Sequence, residues 1–331
     1  MSKAKNAAKA AFEPEKLLPI DCDLSAEDFA HVGPDAERRD EIVRPSISYW
    51  RDAMRRLKEN KVAVACMIFL VVLILFALIV PLVSPYTMSE QHLQHPNEPM
   101  FFRAEDGHMH IFGTDDLGRD LFMRLWLGTR TSLYIAVSVV VINLLIGVIY
   151  GALAGYFGGW IDNIMMRFIE IIIGIPYLII VILLSMIMKS GVTSLIIAYA
   201  IVGWVGSARL TRGQVLSLRT QEFIIAAHAL GSSPWRLIGS HIVPNLLSVL
   251  IVNLTLAIPS AIFTEAFLSY IGLGVPLPHP SLGNLAQEGT LRFMFYPQQL
   301  LLPAIVISLT MLSFNMLGDG LRDALDPRLR T

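Results

Sequence analysis

From Val62 to Val83 the chain runs 22 residues without a charged side chain. A helix of about 20 residues spans the hydrocarbon core of a bilayer, and in lipid a helix satisfies its own backbone hydrogen-bonding groups. With 54% hydrophobic and 16% charged residues among 331, the composition fits an integral membrane protein rather than a soluble enzyme of this length. Further apolar stretches at about 131–154, 163–188, 192–207, 242–262 and 300–317 predict six spans in all. The expected fold class is therefore all-α, integral to the membrane, with six transmembrane helices.

Residues 1–61 hold twelve basic and twelve acidic side chains and no long apolar run, which marks a polar arm rather than a cleaved signal. Within it, Ile47, Trp50, Met54 and Leu57 alternate with Arg51, Arg55, Arg56, Lys58 and Lys61, the pattern of an amphipathic helix at the headgroups or of a solvated helix leading into the first span. Those cations precede residues 62–83, and the next basic residue after the span is Arg103. The positive-inside rule accordingly places the arm in the cytosol, 84–130 outside and, after six spans, the 319–331 tail in the cytosol. Cys22 and Cys66 are too differently placed to pair and match no metal-ligand spacing. Lysine and arginine are scattered, so no nucleic-acid surface is expected.

The outer segment contains His110-Ile-Phe-Gly-Thr-Asp-Asp-Leu-Gly-Arg-Asp120. Its acidic spacing does not follow the alternate-position order of an EF-hand loop. A tight turn fits better: Gly113 and Gly118 permit the bend, and Asp115 or Asp116 is expected to cap the helix beginning near Asp120. Gly147, Gly151 and Gly155 recur every four residues, which permits close helix approach. Asn143, Asn253 and Asn315 lie in apolar runs, where each needs a partner helix or water. Glu265, an ionisable side chain near the end of a span, is a candidate for a gate or for the substrate path. The glycine- and proline-rich stretch 268–284 is expected to be a structured, non-helical outer loop.

The longest gap between spans in the second half of the chain holds Glu222-Phe-Ile-Ile-Ala-Ala-His-Ala-Leu-Gly-Ser-Ser-Pro-Trp-Arg, followed by Ile242-Val-Pro244. Gly231 can end one short helix in the positive-φ conformation, and Ser233 before Pro234 starts the next. A plain amphipathic connection would look the same from helix signals alone. The spacing of Ala226, Ala227, Gly231 and Pro244, however, resembles the EAA loop of permease subunits in bacterial ATP-driven importers. The family's usual glutamate before the paired alanines is replaced here by Ile225, with Glu222 one turn earlier on nearly the same face. Three other stretches resemble the C-type permeases of oligopeptide and dipeptide importers: 110–120, the loop Leu268-Ser-Tyr-Ile-Gly-Leu-Gly, and the terminal Phe314-Asn-Met-Leu-Gly-Asp-Gly-Leu-Arg-Asp-Ala-Leu-Asp-Pro-Arg328.

The resemblance implies a type I importer permease fold, with a core at 131–318 and a cytosolic coupling loop at about 208–241. It further implies a bacterial or archaeal cell membrane, a second homologous permease, two ATPase subunits that carry ATP and Mg, an extracytoplasmic binding protein and a peptide substrate. Glu222, Ala226, Ala227, Gly231 and Pro244 would couple to the ATPase. Nickel complexes, glutathione and peptide antibiotics are alternative cargoes of similar permeases. The chain itself has no Gly-x-x-x-x-Gly-Lys-Ser/Thr loop, nucleophile elbow or HExxH helix, so no ATP hydrolysis, other catalysis or cofactor is expected of it. An ion-driven carrier would instead show inverted repeats with broken helices, which the sequence does not display. A membrane scaffold would have no use for a cytosolic helix-turn-helix.

Overall fold

The computed structural model describes residues 49–104, 107, 109–188, 191–276 and 278–326. Most of the expected cytosolic arm, with Cys22, lies outside the described residues together with Lys189 and 327–331. Cys66 is a free thiol.

The expected amphipathic helix is α1, Tyr49–Glu59, which buries Ala53 and Leu57. Leu57 packs with Ala63, Leu321 and Ala324 at the end of the last helix, while Trp50 and Met54 stay exposed. Asn60 then breaks the chain by accepting a hydrogen bond from the Ala63 N–H at 3.1 Å, starting α2, Lys61–Val83. Its low burial and uniformly apolar surface suit a lipid-facing span.

Between α2 and the next span stands the segment expected to lie outside, with a two-stranded antiparallel ribbon, β1 (Phe102–Arg103) and β2 (Met109–His110). Gly113 and Gly118 do allow its turns: both have positive φ, and a Cβ would sit 2.2 Å from the Glu98 carbonyl oxygen or 2.0 Å from that of His92. The cap of α3 (Leu121–Phe157) differs from expectation, because Asp120 itself accepts from the Met123 N–H at 2.6 Å. Asp115 instead accepts from the Arg119 N–H and from the Arg119 side chain at 2.7 Å, and pairs with Arg124. Burial raises the pKa of the Asp120 carboxyl above its ordinary value, against the lowering pull of the Met123 N–H and His110.

Helix α3 is the central post, packing against α2 and against every later span except the last, which it touches lightly. At Gly147 and Gly151 a Cβ would lie 2.5 Å from Ser207 Cβ and 2.3 Å from the Ala208 carbonyl oxygen, so the expected close helix approach is real. Its partner there is α7.

The third span is not continuous. It consists of α4 (Gly159–Ile173) and α5 (Tyr177–Ile187), bent by 77° at Gly174-Ile175-Pro176. Proline lacks the N–H that would continue α4 and clashes with the preceding turn. A long span interrupted at Trp204 follows, α6 (Val192–Gly203) and α7 (Val205–Leu218), then the short α8 (Glu222–Ala229). The fifth span, α9 (Pro234–Tyr270), contains a π-helical turn at Leu237–Ile242. That turn adjoins Pro244, and the Asn245 amide donates to the His241 carbonyl at 2.6 Å. The expected loop at 268–284 is shorter than the sequence suggested, because Leu268, Ser269 and Tyr270 remain helical and Ser281 caps a new short helix, α10 (Leu282–Thr290). The last span is α11, Gln298–Leu325. Among the described residues, five helices are each long and apolar enough to cross a membrane, or six spans with the bent pair counted as one.

Candidate functional site

At membrane depth, broken backbone is tolerated only where protein buries it or where it lines a cavity. The break between α4 and α5 lines one. Ile175 and Pro176 form part of the wall of a cavity of ~550 Å³, together with residues of α3, α7 and α9. Along α9 the wall is Asn253, Ala257, Ser260, Ala261 and Thr264, positions three or four apart and therefore on one face. Asn143 and Asn253, expected to be packing residues, both line it, whereas Asn315 is exposed on α11. The Ser207 hydroxyl donates to Asn253 Oδ1 at 3.4 Å. Asn143 is pressed against Gly203, where a Cβ would fall 2.2 Å from its Nδ2, and its Oδ1 is buried without a partner. The wall is thus apolar with a few amides and hydroxyls, the composition of a site for a small polar ligand.

Glu265 follows Thr264 but turns away from the cavity wall. It is fully buried and accepts from the Ser269 hydroxyl at 2.7 Å, with Ser132 and Ser281 also within hydrogen-bonding influence. Those serines come from α3, α9 and the cap of α10. The neighbouring Ser132 hydroxyl accepts from the Leu282 N–H at 3.1 Å, and Asn284 donates to the Val275 carbonyl at 2.7 Å, so the outer loop is tied down on both sides of the carboxylate. One oxygen, Oε2, lacks a geometrically formed hydrogen bond.

At the other end of α7 and α9 lies the helix-turn-helix. Gly231 has φ +84°, the Ser232 N–H bonds back to the Ala227 carbonyl at 3.1 Å, and Ser233 caps the next helix by accepting from the Arg236 N–H at 3.4 Å. These are the local features that the sequence predicted. Only Ile224 of α8 is buried, in a cluster with Ala152, Val215 and Ile238. Glu222, Ala226, Gly231 and Pro244 are exposed, and Ala227 is half-buried. Phe223, Ile225, Leu230 and Trp235 beside them also remain uncovered, as does Trp160 at the start of α4. Leu230 is 88% and Trp160 72% exposed, burial too low for large apolar groups that no other part of the described chain covers. An exposed apolar patch of this kind has the character of an interaction surface.

The family described as binding-protein-dependent transport system inner membrane component matches residues 147–331. Residues 48–99 match the N-terminal transmembrane domain of oligopeptide transport permease C. The chain belongs to this family of transport permeases, as a multi-pass membrane component rather than an enzyme. It is 46% identical over 302 residues to the oligopeptide transport system permease protein of Bacillus subtilis, covering 91% of this chain and 97% of that one. To the dipeptide transport system permease protein of the same organism it is 47% identical over 292 residues, 88% of this chain and 89% of the relative. The glutathione transport system permease protein of Pectobacterium atrosepticum is 36% identical over 295 residues, 88% and 95% of the two chains. The family sets aside the scaffold and ion-driven readings, although a broken span, which the sequence did not reveal, is present.

Proposed function

We propose that the chain is one permease half of an ATP-driven importer that moves short peptides into the cytosol, with both termini cytosolic. A second homologous permease would complete the path. Two ATPases would bind the exposed surface around α8, using Glu222, Ala226, Ala227, Gly231 and Pro244, and an extracytoplasmic binding protein would deliver the peptide. The names of the Bacillus relatives support peptide as cargo. The observation that carries the reading is that α7 and α9 run from the uncovered aromatic surface directly into the cavity wall. A tilt imposed on α8 would be passed along those helices as a rigid-body change at the cavity, the element that alternating access requires. Glu265 serves in this scheme as a latch that holds the outer loop to α3, while the break in the third span supplies the hinge.

Coexpression with the ATPases, second permease and binding protein encoded beside it, followed by reconstitution in proteoliposomes, tests the reading. ATP should drive uptake of a radiolabelled tripeptide. Uptake of glutathione or a nickel complex in its place would reassign the cargo, and failure of any ATPase to copurify would overturn the importer mechanism.

A further inference from the structure

Two arginines sit three residues apart on α7 and meet different fates. Arg212 is neutralised by Asp162 in a two-pronged pair, Nε to Oδ1 and Nη2 to Oδ2, both at 2.5 Å. Arg209 lines the cavity and, among the described residues, has no ion pair or hydrogen bond. Every other residue of the cavity wall is uncharged. Arg209 is exposed where the span gives way to the expected coupling loop, so its guanidinium is open to a ligand.

We propose that Arg209 binds the C-terminal carboxylate of the transported peptide. The inference rests on the peptide reading above and names the group that the cavity recognises. Peptides of unrelated sequence share only their main-chain amides and their two termini, so a site that accepts many of them must read those constant groups. A guanidinium presents parallel N–H donors that match a carboxylate. Asn253 and Ser207 can exchange with main-chain groups at the cost of one long 3.4 Å bond. The volume of ~550 Å³ lies within the range of small-ligand sites. No acidic side chain lines this wall to receive the peptide's ammonium end, since Glu265 is turned onto Ser269. The wall therefore selects for negative charge.

A different use of Arg209 is to reach the headgroups with its charge while its stem covers apolar surface. The two uses separate in one experiment. The whole transporter is reconstituted, and a radiolabelled tripeptide or its C-terminal amide is loaded on the binding protein beforehand, so that selection by that protein is already complete. Single-turnover transfer into the vesicles is then measured for each form. The native transporter should transfer the acid about tenfold faster than the amide, the scale of one charge-assisted hydrogen bond. Arg209→Gln should lower transfer of the acid by about that factor and bring the acid-to-amide ratio towards one. Arg209→Lys, which keeps the charge but not the paired donors, should give an intermediate ratio and serves if the glutamine variant fails to reach the membrane. An unchanged ratio in these variants would overturn the carboxylate assignment and leave the peptide reading standing. Transfer of neither form by the native transporter would overturn both.

Discussion

The two ends of this helix bundle are built on opposite principles. At the outer end, Arg124 is 1% exposed and is held by Asp115 and by Glu288, at 2.8 and 3.2 Å; Arg119 adds a contact to Glu288 at 3.5 Å. Arg292 pairs with Asp116, His110 meets Asp120 at 2.8 Å, and Gln299 donates to Asn97 at 2.9 Å. These bonds join the outer segment to α3, α10 and the start of α11. At the inner end, α8 buries one side chain and displays the rest. The first end ties most of its charged groups to one another within the chain, whereas the other leaves large apolar groups uncovered. Under the importer reading proposed above, the first end would keep its shape while a binding protein comes and goes, and the second would be gripped by the ATPases.

The all-or-none way to break this comparison is to ask which end faces out. A cysteine at Gly107, where a Cβ would meet nothing within 4 Å, should react with an impermeant thiol reagent on intact cells. One at Ser232 should react only after permeabilisation. The reverse pattern would invert the whole assignment, coupling surface included.

Removing the central cation should have the next largest effect. Arg124→Met leaves buried Asp115 and partly exposed Glu288 with Arg119 alone as a cation, and the loss should approach that of a broken buried pair, about 3–5 kcal/mol, only as far as Arg119 fails to compensate. Thermal unfolding of the purified permease in detergent should shift strongly downward. A variant as stable as the native chain would show that α10 and α11 hold the outer segment without this network.

At the inner end, substitutions should spare the fold and damage association. Gly231→Val meets no steric obstacle, but φ +84° is unfavourable for a β-branched residue, and Ala226→Trp adds bulk to an exposed flat surface. A misfit in a packed interface costs about 1–3 kcal/mol, which is roughly a five- to 150-fold weakening. Both variants should reach the membrane at near-native levels and lose copurifying ATPase. Coupled transport at the native rate in both would reduce 226–244 to a connecting loop.

The same contrast explains what could be read from the sequence. Local chemistry was legible: Gly231 and Ser233 form their turn and cap, Gly113 and Gly118 bend where they must, and Gly147 with Gly151 brings α3 against α7. Features made by distant residues were not. Asp115 was a reasonable cap on local grounds, but it serves Arg119 and Arg124, and Asp120 caps α3 in its place. The break in the third span was hidden by the uniformly apolar residues around it, although Gly174 and Pro176 were the signal that would have found it. The wall containing Arg209 needs residues of six helices brought together from across the chain, and hydropathy assigns such an arginine only to the inner side. Pattern reading fails where the structure is most functional, because there the residues answer to partners remote in sequence.

The smallest effect concerns Glu222, and it decides how this chain manages without the glutamate that related loops carry at the position of Ile225. Glu222 lies in the first turn of α8, exposed, and Ile225 three residues on is 57% exposed. Residues three apart share a helix face, so the carboxylate can reach the same partner groove from one turn earlier. If its only task were to favour the helix N-terminus, Glu222→Gln would remove about 0.3–1 kcal/mol of local stability and leave the ATPase indifferent. We expect more than that: ATPase association should weaken about two- to fivefold, and the loss should shrink at high salt, where exposed charges are screened. Exchanging the pair, with Glu222→Ile and Ile225→Glu together, should restore association, since it returns the carboxylate to the usual position on the same face. Restoration by the exchange but not by Ile225→Glu alone would show that Ile225 and Glu222 have traded places in one docking contact. If neither single nor double substitution changes association, the carboxylate has no part in the interface, and the grip falls to the uncovered apolar side chains.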